Sequence, residues 1–280
     1  MNGRLLLGVD IGGTKCAVIL GLSHVGGIEI KDKVSFPTTG VDSTIADIET
    51  SIEDVLKRNM LNSRDVSAIG ISCGGPLDSS AGIVMSPPNL PGWDNIPIVR
   101  ILSERFGIPA ALHNDANASA LAEWTFGAGK GTKNMVFLTF GTGLGAGLII
   151  DGKLYTGTND NAGELGHIRL NQFGPVGYGK SGSFEGFCSG SGIRQLAQSL
   201  VKERFQMGLK VPWCPDGSVD KITAKSVAEA AMGGDPLALE IYRVSSWHLG
   251  FGLSIIVDVL NPELIVIGSI YSRNESPEGK

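Results

Sequence analysis

The sequence predicts an α/β protein with two domains built on one plan. Apolar strand patterns alternate with helical patterns along the chain, as they do in α/β architectures. A strand, a turn of glycine and threonine and a second strand occur as "LLLGVDIGGTKCAV" near the start and again as "NMVFLTFGTGLGAGLII" at 134–150. Because the two copies lie about half a chain apart, they indicate two similar domains, which we place at 1–112 and 113–280.

Each element follows from a local pattern. Residues 4–36 are typical of strands joined by turns, and apolar residues at helical spacing predict a helix near 43–59. The run "VSAIGISC" predicts a buried strand, followed by a helix over 97–106, a strand over 108–112 and a helix over 116–126. Residues 157–189 are expected to be rich in loops. Helices follow near 190–206, 223–232 and 236–260, the last with Asp235 as N-cap and Pro236 in its first turn, and "ELIVIG" is a buried strand.

Composition describes a well-cored protein without signs of a nucleic-acid or membrane partner. The 280 residues are 42% hydrophobic and 18% charged, and the formal net charge of −5 argues against nucleic-acid binding. No apolar run is long enough to span a membrane, and the run after Arg4 meets Asp10 too soon for a signal peptide, so we expect a cytoplasmic protein. Four cysteines lack CxxC spacing, so neither a disulfide framework nor a self-contained zinc site is predicted.

The first glycine turn permits two interpretations. Gly12 and Gly13 suit a tight turn between strands that requires positive φ, which is the commoner role of such a pair. They also suit a phosphate cradle, because glycine-rich turns present backbone N–H groups to anions and let oxygens approach closely. Thr14 and Thr142 would add hydroxyl donors, and Asp10 could hold a hydrated Mg²⁺. The second copy of the turn favours a nucleotide held between the domains.

Two further stretches carry candidate chemistry. In "HNDANASALAEW" either Asn114 or Asp115 could cap the helix that follows, or Asp115 could be the base for an incoming hydroxyl in phosphoryl transfer. Glu164, His167 and Glu185 lie on glycine-flanked loops and suit the hydroxyls of a sugar. The alternative for these three is a solvated glutamate with a histidine paired to it.

At this point the chain resembles the ROK sugar kinases of the actin-like ATPase superfamily, which also contains the hexokinases. The resemblance covers, in the family's order and spacing, "DIGGTK", "GGPLD", "NLPGW", "NDANASALAE", "GTGLGAGLIIDGKLYTG", "GELGH", "FEGFCSGSG" and "LNPELIVIG". It implies two actin-like (RNase H-like) domains with a nucleotide and sugar cleft between them, and ATP with Mg²⁺ as cofactors.

Carried over residue by residue, the resemblance implies a role for each matched position. Asp115 becomes the catalytic base toward the sugar 6-hydroxyl. The implied sugar ligands are Asn89, Asn114, Asp115, Glu164, His167 and Glu185. The implied nucleotide positions are Asp10 (through hydrated Mg²⁺), Gly12, Gly13, Thr14, Lys15, Thr142, Gly143, Gly145 and, at the adenosine loop, Gly268, which is followed by Ser269 where glycine is commoner.

The chain departs from the family at two places. The family's zinc signature CxCGxxGCxE has Val176, Tyr178 and Ser183 at its cysteine positions here, while the histidine of GELGH is kept as His167. Because a structural zinc needs about four ligands, we predict no zinc site and a loop held by packing of Val176, Tyr178 and Phe184. The second departure is the polar end "YSRNESPEGK", where the family carries a further helix.

The function expected from this resemblance is ATP-dependent phosphorylation of a hexose, with glucose as the leading substrate because of "NLPGW". Kinases of N-acetylmannosamine, N-acetylglucosamine and fructose share most of these motifs and remain alternatives. The family's repressors place a DNA-binding domain before the first strand, and here only four residues precede Leu5. A non-catalytic sugar-binding protein is a third alternative. A homodimer is the habit of the family.

Overall fold

The computed structural model describes residues 3–269, which form two compact units. The first unit comprises Met1–Gly131 and Leu154–Ala162, and the second Thr132–Lys153 and Gly163–Lys280, each as far as it is described. The boundary expected after residue 112 falls inside a strand that ends at Asn114. The helix that follows this strand also belongs to the first unit. The division into domains at 1–112 and 113–280 stays a prediction.

The first unit has a five-stranded sheet. Its elements are β1 (Arg4–Ile11), β2 (Lys15–His24), β3 (Gly27–Pro37), α1 (Val41–Arg58), β4 (Val66–Cys73), β5 (Leu77–Asp78), β6 (Ile83–Val84), α2 (Ile98–Phe106), β7 (Ala110–Asn114) and α3 (Asp115–Phe126). The sheet order is β3-β2-β1-β4-β7. Strands β1, β2 and β3 form an antiparallel meander, whereas β4 is parallel to β1 and β7 is parallel to β4.

Helix α1 covers this sheet with the face that the sequence predicts. Ile48, Ile52 and Val55 recur at helical spacing and are fully buried. They belong to one apolar cluster with strand residues such as Val18 and Ile71. Burial of side chains of this size stabilises the unit by roughly 1.5–3 kcal/mol each, so α1 and the sheet form a common core.

The second unit has a four-stranded sheet and a layer of helices. Its elements are β8 (Met135–Phe140), β9 (Leu144–Ile150), β10 (Lys153–Tyr155, of which only Lys153 falls within the range of this unit), β11 (Val176–Gly177), β12 (Lys180–Ser181), α4 (Phe184–Cys188), α5 (Gly190–Gln206), α6 (Ala224–Met232), α7 (Pro236–Leu260) and β13 (Leu264–Ser269). The sheet order is β10-β9-β8-β13, with β8 antiparallel to β9 and parallel to β13. One apolar cluster joins the sheet to α4 and α7, and another joins α5, α6 and α7.

The long helix α7 begins where the sequence predicts. The Asp235 carboxylate accepts a hydrogen bond of 2.9 Å from the Ala238 N–H, and Pro236 occupies the first turn. Asn261 ends the helix in the left-handed conformation, just before Pro262. Among the helices described, neither α7 nor any other is both long and apolar enough to cross a membrane.

The stretch expected to be mostly loop contains more structure than predicted. Between 157 and 189 lie the small hairpin of β11 and β12 and the five-residue helix α4. Neither spans enough residues to show a hydrophobic period, so periodicity alone could not detect them. Helix α4 depends on its N-cap, because the Ser183 hydroxyl accepts a hydrogen bond of 3.0 Å from the Gly186 N–H.

The cap of α7 gives a test of this packing. Asp235 also accepts a hydrogen bond of 3.0 Å from the indole N–H of Trp213, so Asp235→Ala removes the acceptor of two donors. We expect the free energy of unfolding to fall by about 1–2 kcal/mol, as measured by urea denaturation. Asp235→Asn keeps an acceptor oxygen and should lose much less. Equal stability of the alanine variant and the wild type would contradict the assigned cap.

Candidate active site

The first unit brings two carboxylates to the same edge of its sheet. In the parallel pairs, Asp10 of β1 lies opposite Ser72 of β4, and Cys73 of β4 lies opposite Asn114 of β7. Asp115 follows at once as the first residue of α3. Because the carboxyl ends of parallel strands meet at one edge, Asp10 and Asp115 share that edge, where α/β sheets bind ligands.

The structure decides which residue caps α3. Asn114 is the N-cap, and its side-chain oxygen accepts a hydrogen bond of 2.9 Å from the Asn117 N–H. Asp115 lies inside the first turn and accepts a hydrogen bond of 2.8 Å from the Ala116 N–H with one oxygen, Oδ1. The capping role that the sequence offered to either residue therefore belongs to Asn114, and it does not account for the carboxylate of Asp115.

The surroundings of Asp115 favour its protonated form. Burial among protein atoms raises the pKa of the Asp115 carboxyl, the Ala116 N–H lowers it, and the Asp10 carboxylate raises it again, with a net increase. The side chain keeps more than a third of its surface exposed, so this burial is partial. Burial and the charge of Asp115 likewise raise the pKa of the buried Cys73 thiol, to about 12. The sheet edge thus has a carboxyl group that accepts a proton more readily than an ordinary aspartate does.

The first glycine turn owes its glycines to close approach. The turn joins the antiparallel strands β1 and β2, but neither Gly12 nor Gly13 has the positive φ that the first interpretation assumed. A Cβ atom on Gly13 would instead lie 2.5 Å from the carbonyl oxygen of Asn89. The turn thereby contacts the loop of the predicted sugar ligand Asn89, and both belong to the first unit. Thr14 and Lys15 are exposed beside it and could reach an anion.

In the second unit the other glycine turn contacts a predicted sugar ligand. The Leu144 N–H donates a hydrogen bond of 2.8 Å to Oε2 of Glu185. A Cβ atom on Gly143 would lie 2.7 Å from the same oxygen, and Gly143 has no positive φ. Gly143 therefore gives space to Glu185, so a larger residue there would disturb Glu185 as well as any bound phosphate.

The start of α5 holds this turn in place. The Gly190 N–H donates a hydrogen bond of 2.9 Å to the Gly141 carbonyl, and the Ser191 N–H donates one of 3.4 Å to the carbonyl of Thr142, whose side chain is exposed. These N–H groups belong to the first turn of a helix, where donors lack partners within the helix. The turn and α5 thus satisfy each other's backbone groups.

Glu164 and His167 lie close to Glu185. Glu164 precedes a 3-10 turn at Leu165–His167, and His167 is the last residue of that turn. The turn packs against β9 and α4. The imidazole Nε2 of His167 is 3.5 Å from Oε2 of Glu164, so the two side chains form the pair that the sequence allowed. Three of the predicted sugar ligands are therefore neighbours in the second unit.

Two other predicted nucleotide positions lie in the second sheet, on the two strands that flank β8. Gly145 of β9 and Gly268 of β13 both pair with Thr139 of β8, from opposite sides. A Cβ atom on Gly268 would lie 3.0 Å from the ring of Phe137. The role of both glycines in nucleotide binding stays a prediction.

The residues at the family's zinc positions have other partners. The backbone of Val176 is bound by Gln195, the ring of Tyr178 stacks on His167, and the Ser183 hydroxyl caps α4. Within residues 3–269 no group of three or more metal-binding side chains occurs, and these positions do not fit a zinc ion. The expected packing was partly wrong, because only Phe184 is buried while Val176 and Tyr178 are exposed. The absence of zinc stays a prediction.

One contact beside the candidate site was missed. Asp160 accepts hydrogen bonds from the backbone N–H and the hydroxyl of Ser79, at 2.7 and 2.8 Å. Burial of the imidazole lowers the pKa of His113, and the charge of Asp160 raises it by a smaller amount, so the net shift of this pKa is downward. The Nδ1 atom of His113 is buried without a hydrogen-bond partner among the described residues. No local motif marks a pair of residues 81 positions apart.

The raised pKa of Asp115 has a consequence for stability. The folded protein binds this proton more tightly than the unfolded chain, so ionised Asp115 destabilises the fold at pH values above both pKa values. We expect Asp115→Asn to increase the free energy of unfolding at pH 7 by roughly 0.5 kcal/mol, since water screens a partly exposed group. This gain in the free energy of unfolding over the wild type should vanish as the pH falls through the raised pKa of folded Asp115 toward about 3.9, the pKa of an ordinary aspartate. The wild-type carboxyl group is then protonated in the folded protein and no longer destabilises it. Urea denaturation at pH 4 and pH 7 measures this difference, and a loss of stability at pH 7 would contradict it.

Comparison with known proteins identifies the family. The ROK family profile matches residues 6–276. A glucokinase of Halalkalibacterium halodurans is 36% identical over 279 residues, which are 98% of this chain and 82% of the relative. The xylose repressor of Caldicellulosiruptor bescii is 30% identical over 94% of this chain and 65% of the repressor. A crystal structure of a ROK family glucokinase from Streptomyces griseus, in complex with glucose and AMPPNP, is 32% identical, covers 96% of this chain and 84% of that one, and has a TM-score of 0.74. The chain belongs to the ROK family and has its two-domain actin-like fold.

Proposed function

We propose that this protein phosphorylates the 6-hydroxyl of a hexose with ATP, and that glucose is its leading substrate. The observation that carries the proposal is the carboxylate of Asp115, which is exposed at the sheet edge while Asn114 caps the helix. The glucokinase relatives support the reaction, and the Streptomyces griseus complex supports glucose and an ATP analogue as the kinds of ligand.

Asp115 acts as the general base. A phosphoryl acceptor needs a group that orients its hydroxyl and takes the proton late in the transfer, and a carboxylate in hydrogen-bond reach meets that need. Burial and the Asp10 carboxylate raise the pKa of Asp115, so this carboxylate takes a proton more readily than an ordinary aspartate does. The proton of the sugar hydroxyl moves to Oδ2 of Asp115, because Oδ1 already accepts the Ala116 N–H.

Each unit carries its own side chains that suit sugar hydroxyls. In the first unit Asn89 and Asn114 supply amide groups, and in the second Glu164, His167 and Glu185 supply acceptors and a ring nitrogen. Oε2 of Glu185 is bonded to the Leu144 N–H, so we assign its other oxygen, Oε1, to a sugar hydroxyl. Directional hydrogen bonds of this kind are suited to distinguish one hexose from another.

The glycine turns and their neighbours would hold the nucleotide. The first unit offers phosphate oxygens backbone N–H groups, a hydroxyl and a cation, at Gly12, Gly13, Thr14 and Lys15. The second unit independently offers backbone N–H groups and a hydroxyl, at Thr142, Gly143 and Gly145. The exposed carboxylate of Asp10 fits a hydrated magnesium ion, and Gly268 would lie at the adenosine. ATP would supply the phosphoryl group, and the magnesium ion would neutralise negative charge on the phosphates.

Other members of the family define the alternative functions. N-acetylmannosamine, N-acetylglucosamine or fructose could replace glucose, because the same kinds of residues would bind them. The similarity to a xylose repressor keeps a sugar-binding protein without catalysis as the second candidate. A cytoplasmic location, a homodimer and the lack of a nucleic-acid partner also stay predictions.

Substitution of Asp115 tests the proposal. Asp115→Asn retains the shape of the side chain and removes the base, so we expect kcat to fall by at least ~10²-fold while sugar affinity changes only a few-fold. ADP release measured with a panel of hexoses and N-acetylhexosamines gives the rates, and calorimetry gives the affinities.

The matched control is Asp42→Asn, which removes an exposed carboxylate from the first turn of α1 in the same unit. This variant should keep the activity of the wild type. Turnover by Asp115→Asn near that of the wild type would show that Asp115 is not the base. A wild-type protein that binds sugar and releases no ADP would favour the non-catalytic candidate.

A further inference from the structure

The hairpin of β11 and β12 carries an unusual residue at its tip. Gly177 pairs with Lys180, so Tyr178 and Gly179 form a two-residue connection. Their φ values are 46° and 74°, and positive φ at both positions is the requirement of a type I′ turn. Asparagine is favoured at the first position, whereas a bulky residue with positive φ is a genuine outlier. The conformation of the turn therefore does not explain why this residue is a tyrosine.

The hairpin that carries this tyrosine is fixed to its surroundings. The side chain of Gln195 on α5 accepts a hydrogen bond of 2.9 Å from the Val176 N–H and donates one of 2.8 Å to the Val176 carbonyl. On the other side, a Cβ atom on Gly177 would lie 2.8 Å from Cβ of Glu185, so the hairpin packs directly on α4. The tip is thus held from two helices and provides a rigid support for the tyrosine.

The ring of Tyr178 lies on the imidazole of His167. The ring centroids are 4.6 Å apart and the planes differ by 15°, which is a stacked arrangement. Tyr178 is itself 67% exposed, so little apolar burial accounts for its position. Stacking uses the faces of the imidazole and leaves both ring nitrogens at its edge for hydrogen bonds. The contact fixes the plane of His167 while Nε2 remains directed toward Glu164.

We propose that Tyr178 is a positioning residue for sugar binding, which holds the imidazole of His167 in the plane that a sugar hydroxyl requires. The inference rests on the proposed role of His167 as a sugar ligand. The benefit of the stack offsets the unfavourable backbone conformation of Tyr178. Without the stack, the imidazole would rotate among several orientations. Sugar binding would then have to fix the imidazole, and the entropic cost of fixing it would lower the affinity for the sugar.

Tyr178→Asn separates the stack from the turn. Asparagine favours the type I′ conformation, so the hairpin should form at least as well and the thermal midpoint should not fall. We expect the dissociation constant for glucose, measured by calorimetry, and the KM to rise about three- to tenfold, the strength of an aromatic pair. The kcat should change less than twofold, because the proposed role of Tyr178 is to orient a sugar ligand and not to take part in proton or phosphoryl transfer. Tyr178→Phe should restore the affinity of the wild type.

Proton NMR of the imidazoles gives a measurement that is independent of activity. The chain has four histidines, so His167 is assigned by its loss in His167→Gln. Ring protons stacked on tyrosine are shifted upfield, and this shift should disappear in Tyr178→Asn and persist in Tyr178→Phe. Phe173→Asn, which removes an exposed aromatic residue from the same region, should change neither the shift nor the affinity.

Three results would overturn the inference. An unchanged imidazole shift in Tyr178→Asn would show that the stack is absent in solution. Unchanged glucose affinity despite a lost shift would show that the stack does not position His167. A wild-type protein that binds no hexose would overturn the inference together with the sugar-binding role. A wild-type protein that binds glucose without turnover would contradict the proposed kinase alone, and the affinities of the variants would still decide on Tyr178.

Discussion

The parallel pairing of β1, β4 and β7 is the constraint on which the candidate site depends. Its register places Asp10 opposite Ser72 and Cys73 opposite Asn114, so two acidic side chains reach the same sheet edge. One consequence is electrostatic, since the Asp10 charge adds to the effect of burial on the pKa of Asp115. Another is structural, because Asn114 is the N-cap of α3, so Asp115 is not needed as its cap. Backbone pairing thereby sets the surroundings of Asp115, the proposed base.

In the second unit, Glu185 links two parts of the candidate site. It accepts the Leu144 N–H at the end of the glycine turn, and its helix packs against the turn that carries Glu164 and His167. The proposed phosphate and sugar ligands therefore share one hydrogen bond. Gly143 and Gly13 serve such contacts by lacking a side chain, each next to a predicted sugar ligand in its own unit. A close approach of this kind explains these glycines better than backbone conformation does.

The sequence predicted those parts that depend on long or local patterns. The helices α1, α5, α6 and α7 were confirmed, because each has several turns of periodicity or a clear cap such as Asp235. The short α4 and the hairpin with Tyr178 were missed, since five residues or fewer show no period. From the sequence either Asn114 or Asp115 could be the N-cap of α3, and only the hydrogen-bond geometry shows which of the two it is. Contacts such as Tyr178 with His167 or Asp160 with Ser79 arise from tertiary packing, which no spacing encodes.

The most direct test of the account is the chemical identity of the product. If Asp115 takes the proton of a 6-hydroxyl during phosphoryl transfer, the protein converts glucose and magnesium-ATP to ADP and a phosphate ester at carbon 6. Phosphorus-31 NMR of that reaction should show a new monoester signal, split into a triplet by the protons of that carbon, in equal amount to ADP. Inorganic phosphate as the only new product, or an ester signal coupled to a single proton, would contradict the assignment.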